Sequence, residues 1–239
     1  TNTGGDVSYV GTAYTFGAKK FTRKLFVWGY NNYGQTGQNN LTSYSSPIQL
    51  PGSTWSELSG DGGKRTMNSY GLKTDGTLWM WGRNVVGGAL GQNDTVNRSS
   101  PVQVPGTTWN AVSLSYYNTL ANKTDGTLWS WGINWQGQLG QNQGPAQIGN
   151  ISSPVQIPGT TWSANITSGY WNLAVKTDGT LWGWGYNDQG NLAQNNNTNG
   201  YSSPVQIPGT TWATVSTSKF SSYATKTDGT LWAWGSDAF

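Results

Sequence analysis

The chain has 239 residues, a formal net charge of +3, no Cys and no His, and only 10% of its residues are charged, against a typical share of about 25%. Without Cys there are no disulfides, thiolate nucleophiles or sulfur-ligated metals, and without His the side chain best suited to proton transfer near neutral pH is missing. No apolar run approaches the ~18 residues of a membrane span, and the 34 Gly and 13% aromatics describe a weakly charged surface over a tryptophan-rich core.

Taken in chain order, the first 30 residues hold a worn hairpin. Lys20 to Gly29 aligns without a gap with Lys226 to Gly235, and Phe-Thr-Arg-Lys stands where later copies have an Asp-Gly turn. Next comes a string of Ser-Ser-Pro, an apolar-Gln-apolar triplet and Pro-Gly, starting at Ser45 and recurring at Ser99, Ser152 and Ser202. Proline cannot donate to a ladder, so each copy, such as Pro47 to Pro51, predicts an edge strand, the outermost of its sheet. Each leads to a tryptophan (Trp55, Trp109, Trp162, Trp212) and a further strand such as Trp109 to Ser113. The string KTDGTLW comes next, at Lys73, Lys123, Lys176 and Lys226. Its Thr-Asp-Gly-Thr core predicts a hairpin turn, because Asp bonds its own backbone and Gly accepts positive φ. After it, alternation puts Leu78 and Met80 on one face of a strand and Trp79 and Trp81 on the other, both apolar. A strand buried on both faces belongs in a stacked sheet.

Trp28, Trp81, Trp131, Trp184 and Trp234 each precede a Gly, at steps of 53, 50, 53 and 50 residues. A fixed period near 50 decides the architecture. No segment keeps a helical apolar period. The fold class is all-β: one β-propeller over 1–239, of four-stranded antiparallel blades, with a degenerate blade at 1–30 and repeats at 31–82, 83–132, 133–185 and 186–235. Five hairpins but four edge strands predict about five blades with the first or last incomplete, closing as a ring. The other possibility is an arc completed by another chain or by further sequence. The lack of an initiator Met suggests a processed product or fragment.

Catalysis has little to work with. Asp75, Asp125, Asp178 and Asp228 are turn residues, and Asp6, Glu57, Asp61, Asp94, Asp188 and Asp237 lie in different repeats without calcium-loop spacing. No glycine loop that could cradle phosphate precedes a helix. The reading is therefore non-enzymatic, with no cofactor and no metal.

The run Trp131-Gly132-Ile133-Asn134-Trp135-Gln136-Gly137-Gln138-Leu139-Gly140, with Ser168 to Lys176 and its Asp-Gly turn, resembles the regulator-of-chromosome-condensation repeat. The resemblance covers nearly the whole chain from about residue 20 and implies a propeller of four-stranded blades, usually seven. The chain departs from it in having too few repeats, and in placing Ser69, Thr119, Asn172 and Ser222 where the family often has His. The family's founding activity, nucleotide exchange on a small GTPase with chromatin binding, is not carried over, since fold alone does not carry function. The regular strings look more like those of bacterial surface and phage-encoded relatives. They imply a structural or recognition module of a virion or cell surface, and hence an extracellular, virion or cell-surface location.

Off-repeat aromatics are the candidate binding residues: Trp135 and Tyr33 after Trp-Gly, and Tyr170, Trp171, Tyr116, Tyr117 and Phe220 before the hairpin. Trp and Tyr carry interface energy well, and Trp135 and Trp171 lead because no other repeat has Trp there. A basic patch of Lys19, Lys20, Arg23 and Lys24, extended by Lys64 and Arg65, reads mainly as a solvated edge. The net charge is too small for nucleic acid. The expected partner is a protein or copies of the chain itself. The alternatives are a surface glycan bound in lectin fashion, or a GTPase or enzyme that the chain regulates or inhibits.

Overall fold

A computed structural model describes residues 24–60, 67–85, 87–116, 118–144, 146, 148–197 and 200–236. These form seventeen strands in five antiparallel sheets, with no helix among the described residues. The first sheet pairs β1 (Phe26–Gly29) with β2 (Tyr44–Gln49). The second orders β3 (Trp55–Gly60), β4 (Asn68–Lys73), β5 (Leu78–Gly82) and β6 (Arg98–Gln103). The third repeats it with β7 (Trp109–Leu114), β8 (Asn118–Lys123), β9 (Leu128–Gly132) and β10 (Ile151–Ile157). The fourth has β11 (Trp162–Thr167), β12 (Trp171–Lys176), β13 (Leu181–Gly185) and β14 (Tyr201–Ile207). The fifth has three strands, β15 (Trp212–Thr217), β16 (Ser221–Lys226) and β17 (Leu231–Gly235).

The Ser-Ser-Pro strands are outermost, each bonded on one side only, as the proline rule requires. They begin earlier than the Pro-to-Pro reading, at Tyr44 rather than Pro47 in the first copy, and bulge around the proline. Arg98 pairs with Gly82 and Val102 with Met80, so Ser99, Ser100 and Pro101 stand opposite Trp81 alone. At the inner end, β11 lies against both β7 and β15.

The two faces of each sheet differ in partner. Leu78 clusters with Trp109, Ala121 and Trp131 of the following sheet, and Leu128 with Trp162, Ala174 and Trp184. The leucine of β5, β9 or β13 thus packs forward, and the tryptophans after it pack backward. The Asp-Gly turn joins the same interface: the carbonyls of Gly76, Gly126 and Gly179 accept from the backbone N–H of Trp109, Trp162 and Trp212, each at 2.9 Å.

Among the described residues the first and fifth sheets are short, with two and three strands, and the sheets do not close a ring. Leu78, Leu128 and Leu181 are fully buried, whereas Leu231, their equivalent on β17, is 70% exposed. Among the described residues, no sheet covers the forward face of the fifth.

Candidate interaction face at the loop end

The strand register separates the ends of the propeller. At one end, Trp55 pairs with Lys73 and Trp109 with Lys123, which puts the Pro-Gly-Thr-Thr and Thr-Asp-Gly-Thr turns together. At the other, Gly82 pairs with Asn68, Gly132 with Asn118 and Gly185 with Trp171. That end carries the loops after Trp-Gly and those entering β4, β8, β12 and β16.

The turn end repeats one chemistry. Asp75 Oδ1 accepts from the N–H and hydroxyl of Thr77 at 2.9 and 2.7 Å, and Asp125, Asp178 and Asp228 do the same with Thr127, Thr180 and Thr230. These bonds hold the four carboxyls below the usual carboxylate range. The repeat lysines balance these aspartates in net charge, yet each ammonium lies over two rings instead of a carboxylate. Lys73 is 5.0 and 4.0 Å from Trp55 and Trp79, and Lys176 is 4.8 and 4.2 Å from Trp162 and Trp182. This end is scaffold.

The loops of the other end are built by one buried asparagine each. Asn84 Oδ1 accepts from Leu90 N–H at 2.8 Å and its amide donates to the Asp94 carbonyl at 2.9 Å. Asn134 and Asn187 bind Leu139 and Leu192 in the same way. These asparagines fix the loop backbone and leave the neighbouring side chains to vary. Among those, the Arg83 guanidinium lies 5.2 Å from the Tyr33 ring and 5.8 Å from the Tyr116 ring, with Nη1 3.3 Å from the Tyr116 hydroxyl. Tyr30 stands edge-on to Tyr33 at 6.5 Å, continuing the row. A second pair, Tyr170 and Tyr186, sits 6.1 Å apart, and burial together with Asp188 raises the Tyr186 phenol above its ordinary value.

Among the residues expected to bind, Trp135 is 54% exposed, and Tyr170 and Phe220 are exposed as well. Tyr33 is half-buried and joins Arg83. Trp171 is a correction: it is 2% exposed, clusters with Trp212 and Ala224, and donates its indole N–H to Ser222 Oγ at 2.8 Å. It fills the gap between the fourth and fifth sheets and offers no platform. Tyr117 lies outside the described residues, as do Lys19, Lys20, Arg23, Lys64 and Arg65 of the basic patch; Lys24 is exposed. Sequence reasoning missed Arg83, although it is the only charged residue directly after a Trp-Gly pair. No group of three or more metal-binding side chains occurs among the described residues.

Two stretches, 75–121 and 178–224, match the model of the "Regulator of chromosome condensation (RCC1) repeat". Two curated relatives from Arabidopsis thaliana are similar: the RCC1 domain-containing mitochondrial protein RUG3, 27% identical over 74% of this chain and 29% of its own length, and the ultraviolet-B receptor UVR8, 34% identical over 44% and 24%. The chain therefore spans under a third of either. Among solved structures, Prp20p of Saccharomyces cerevisiae overlays with a TM-score of 0.76 at 17% identity, covering 93% of this chain and 55% of that one. Human WBSCR16 gives 0.73 at 21% identity, covering 88% and 56%.

Proposed function

We propose that this chain, an RCC1-repeat β-propeller, is a non-catalytic interaction module that engages a protein partner through its loop end. The observation that carries the reading is the row Tyr30–Tyr33–Arg83–Tyr116. Tyr, Trp and Arg are the side chains that dominate protein interfaces, and here they stand on asparagine-fixed loops while the opposite end repeats one turn chemistry. A guanidinium held between two rings keeps its planar donors oriented, which suits a carboxylate or carbonyl on the partner.

The structural relatives support the class of partner. Prp20 binds Gsp1p and histones and has been crystallised with Kap60. The placement on a virion or cell surface, suggested by the regularity of the repeats, is part of this proposal. A set of equivalent sugar sites is disfavoured, because Asn32, Val85, Trp135 and Asp188 occupy the same loop position with unlike chemistry.

The test is cross-linking of the chain to its partners from the native source, followed by competition with loop-end and turn-end variants. Arg83→Ala and Trp135→Ala are expected to lose the cross-linked partner, while Asp125→Asn retains it. Retention by both loop-end variants, or loss with Asp125→Asn alone, overturns the reading.

A further inference from the structure

The fourth sheet holds Trp162, Trp171, Trp182 and Trp184, and all but the first have an acceptor for the indole N–H. Trp171 donates to Ser222, Trp182 to Thr180 and Trp184 to the Gln138 carbonyl. Trp162 is 2% exposed, and its buried Nε1 has no hydrogen-bond partner among the described residues. Its equivalents Trp55, Trp109 and Trp212 are in the same state. A buried donor without an acceptor is costly, and the repeat keeps one in every copy.

The surroundings of Trp162 point to a ligand. It lines a groove of about 420 Å³ together with Lys176, Trp182, Asn142, Ser203 and Pro204, within the size range of small-molecule sites. The Thr-Asp-Gly-Thr turns are scaffold, and the groove opens beside them against the outer strand β14. The Lys176 ammonium is held over the two rings, and the one ion pair among the described residues is Arg98 with Asp94. Asp178 feels the Lys176 charge, but its Oδ1 is taken by Thr180. Asn142 Oδ1 accepts from the Ser203 hydroxyl at 2.8 Å, so its amide group faces a ligand as a donor. The Pro-Gly turn leaves room beside these groups. A Cβ on Gly159 would meet Trp162 Nε1 at 3.6 Å, and one on Gly209, in the next repeat, would lie 3.5 Å from both Trp212 Nε1 and Lys226 Nζ.

We infer that this groove binds a small organic carboxylate. The anionic end meets the Lys176 ammonium beside the N–H donors of Trp162 and Asn142, and the body lies against Trp182 and Pro204. Converging donors select an anion over a neutral hydroxyl ligand, which must donate as well as accept. One cation among neutral donors matches a monoanion, whereas a phosphate is better served by the fork of an arginine. A peptide added as a strand is disfavoured, because β14 carries Pro204, which has no N–H to give, and shifts register between Gly183 and Gly185. The site is independent of what binds at the loop end. Its parts recur one repeat earlier: Lys123 lies 4.6 and 4.5 Å from the Trp109 and Trp129 rings, and Asn93 N–H bonds the Ser152 carbonyl as Asn142 N–H bonds that of Ser202, both at 2.8 Å.

The experiment follows the indole N–H resonances of the nitrogen-labelled chain by two-dimensional NMR during titration with sodium benzoate at constant ionic strength. Benzamide is the neutral counterpart, and Trp162→Phe assigns the Trp162 resonance. That resonance is expected to shift saturably with benzoate and not with benzamide. Lys176→Gln is expected to abolish the shift at Trp162 and leave the one at Trp109. A Trp162 resonance that benzoate does not move overturns the proposal. So does an equal shift with benzamide, which marks ring stacking alone, and so does a benzoate shift that survives Lys176→Gln. A peptide with a free carboxyl-terminal phenylalanine that moves Trp162 where benzoate does not would assign the groove to a protein chain and also overturns it. Far-UV circular dichroism checks folding. Asn142→Asp, which sets a carboxylate in the groove and is likewise expected to abolish the shift, serves if Lys176→Gln does not fold.

Discussion

Trp184 donates its indole N–H to the main-chain carbonyl of Gln138 at 2.9 Å, bridging the fourth sheet to a loop of the preceding repeat. The same bond recurs from Trp81 to Gln35, Trp131 to Ala89 and Trp234 to Asn191, at 2.7 to 2.8 Å. Each carbonyl has a second donor from the same sheet: Ser69, Thr119, Asn172 or Ser222. Ser, Thr and Asn fill the same place in successive repeats, so any short donor suffices to complete the carbonyl. The repeat thus joins sheet to sheet by a ring that is both packed and hydrogen-bonded.

Replacing Trp184 by Phe keeps most of the packing and removes one donor, while Asn172 still satisfies the Gln138 carbonyl at 2.7 Å. The expected cost is about 1–2 kcal/mol in urea unfolding, a net hydrogen bond plus a small void. Trp232→Phe, on a 49% exposed ring bonded to Thr230, is expected to cost under about 1 kcal/mol. Equal effects would mean that the buried bond contributes nothing.

The Asp-Gly turns give a second contrast. Gly126 and Gly229 both have φ near +80° (80° and 86°), so an added Cβ strains both backbones. At Gly126 it also meets Thr161 backbone at 3.0 Å, while at Gly229 there is open space. Gly229→Ala is expected to cost about 1 kcal/mol, the penalty of positive φ, and Gly126→Ala clearly more. The difference in melting temperature between the two variants reads this directly. A larger drop for Gly229→Ala would place an unseen neighbour at the fifth sheet.

The period, the hairpin turns and the proline-marked edge strands are legible in the residues because each is set locally, by φ at Gly, by a missing N–H at Pro, or by alternation along one strand. Closure is not local. Leu231 sits in the same KTDGTLW string as Leu181 and differs from it in having no neighbouring sheet among the described residues, so counting repeats cannot tell a ring from an arc. The site is legible in part for a related reason. Trp135 and Trp171 are equally out of pattern, but Trp135 sits in a loop whose backbone is fixed by Asn134, and Trp171 opens a strand whose side chain turns into the gap before Ser222. Arg83 was hidden because a single charged residue after Trp-Gly gains meaning only from Tyr33 and Tyr116, which lie 50 and 33 positions away in the chain.

That difference between the two tryptophans is measurable. Trp171→Ala opens a cavity between two sheets and orphans a buried contact, for an expected loss of about 3–5 kcal/mol. Trp135→Ala is expected to change stability by under about 1 kcal/mol. Thermal unfolding of the two variants decides it: a Trp171→Ala protein as stable as wild type would return Trp171 to the surface.

The pH dependence of stability is set by two opposing sets of carboxyls. Glu57 lies at the interface of the second and third sheets, bonded by the Tyr70 hydroxyl at 2.5 Å, with the Val112 carbonyl 3.1 Å from the same oxygen. Burial raises its pKa, only partly offset by that bond. The folded protein therefore holds this proton more tightly than the unfolded chain. Its contribution is full below the unfolded value and is lost as pH rises through the folded one. The turn carboxyls run the other way. The bonds from Thr77, Thr127, Thr180 and Thr230 lower the pKa of Asp75, Asp125, Asp178 and Asp228. Their stabilisation is present above the unfolded value near 4 and disappears as pH falls through the folded one. Stability is thus expected to rise modestly as pH falls from neutral toward the ordinary glutamate value, and to fall below about 4. Glu57→Gln is expected to flatten the rise and leave the acid limb unchanged, while Asp125→Asn weakens the acid limb alone. Melting temperatures across that range for the three proteins check both halves, and a Glu57→Gln profile identical to wild type would remove Glu57 from the account.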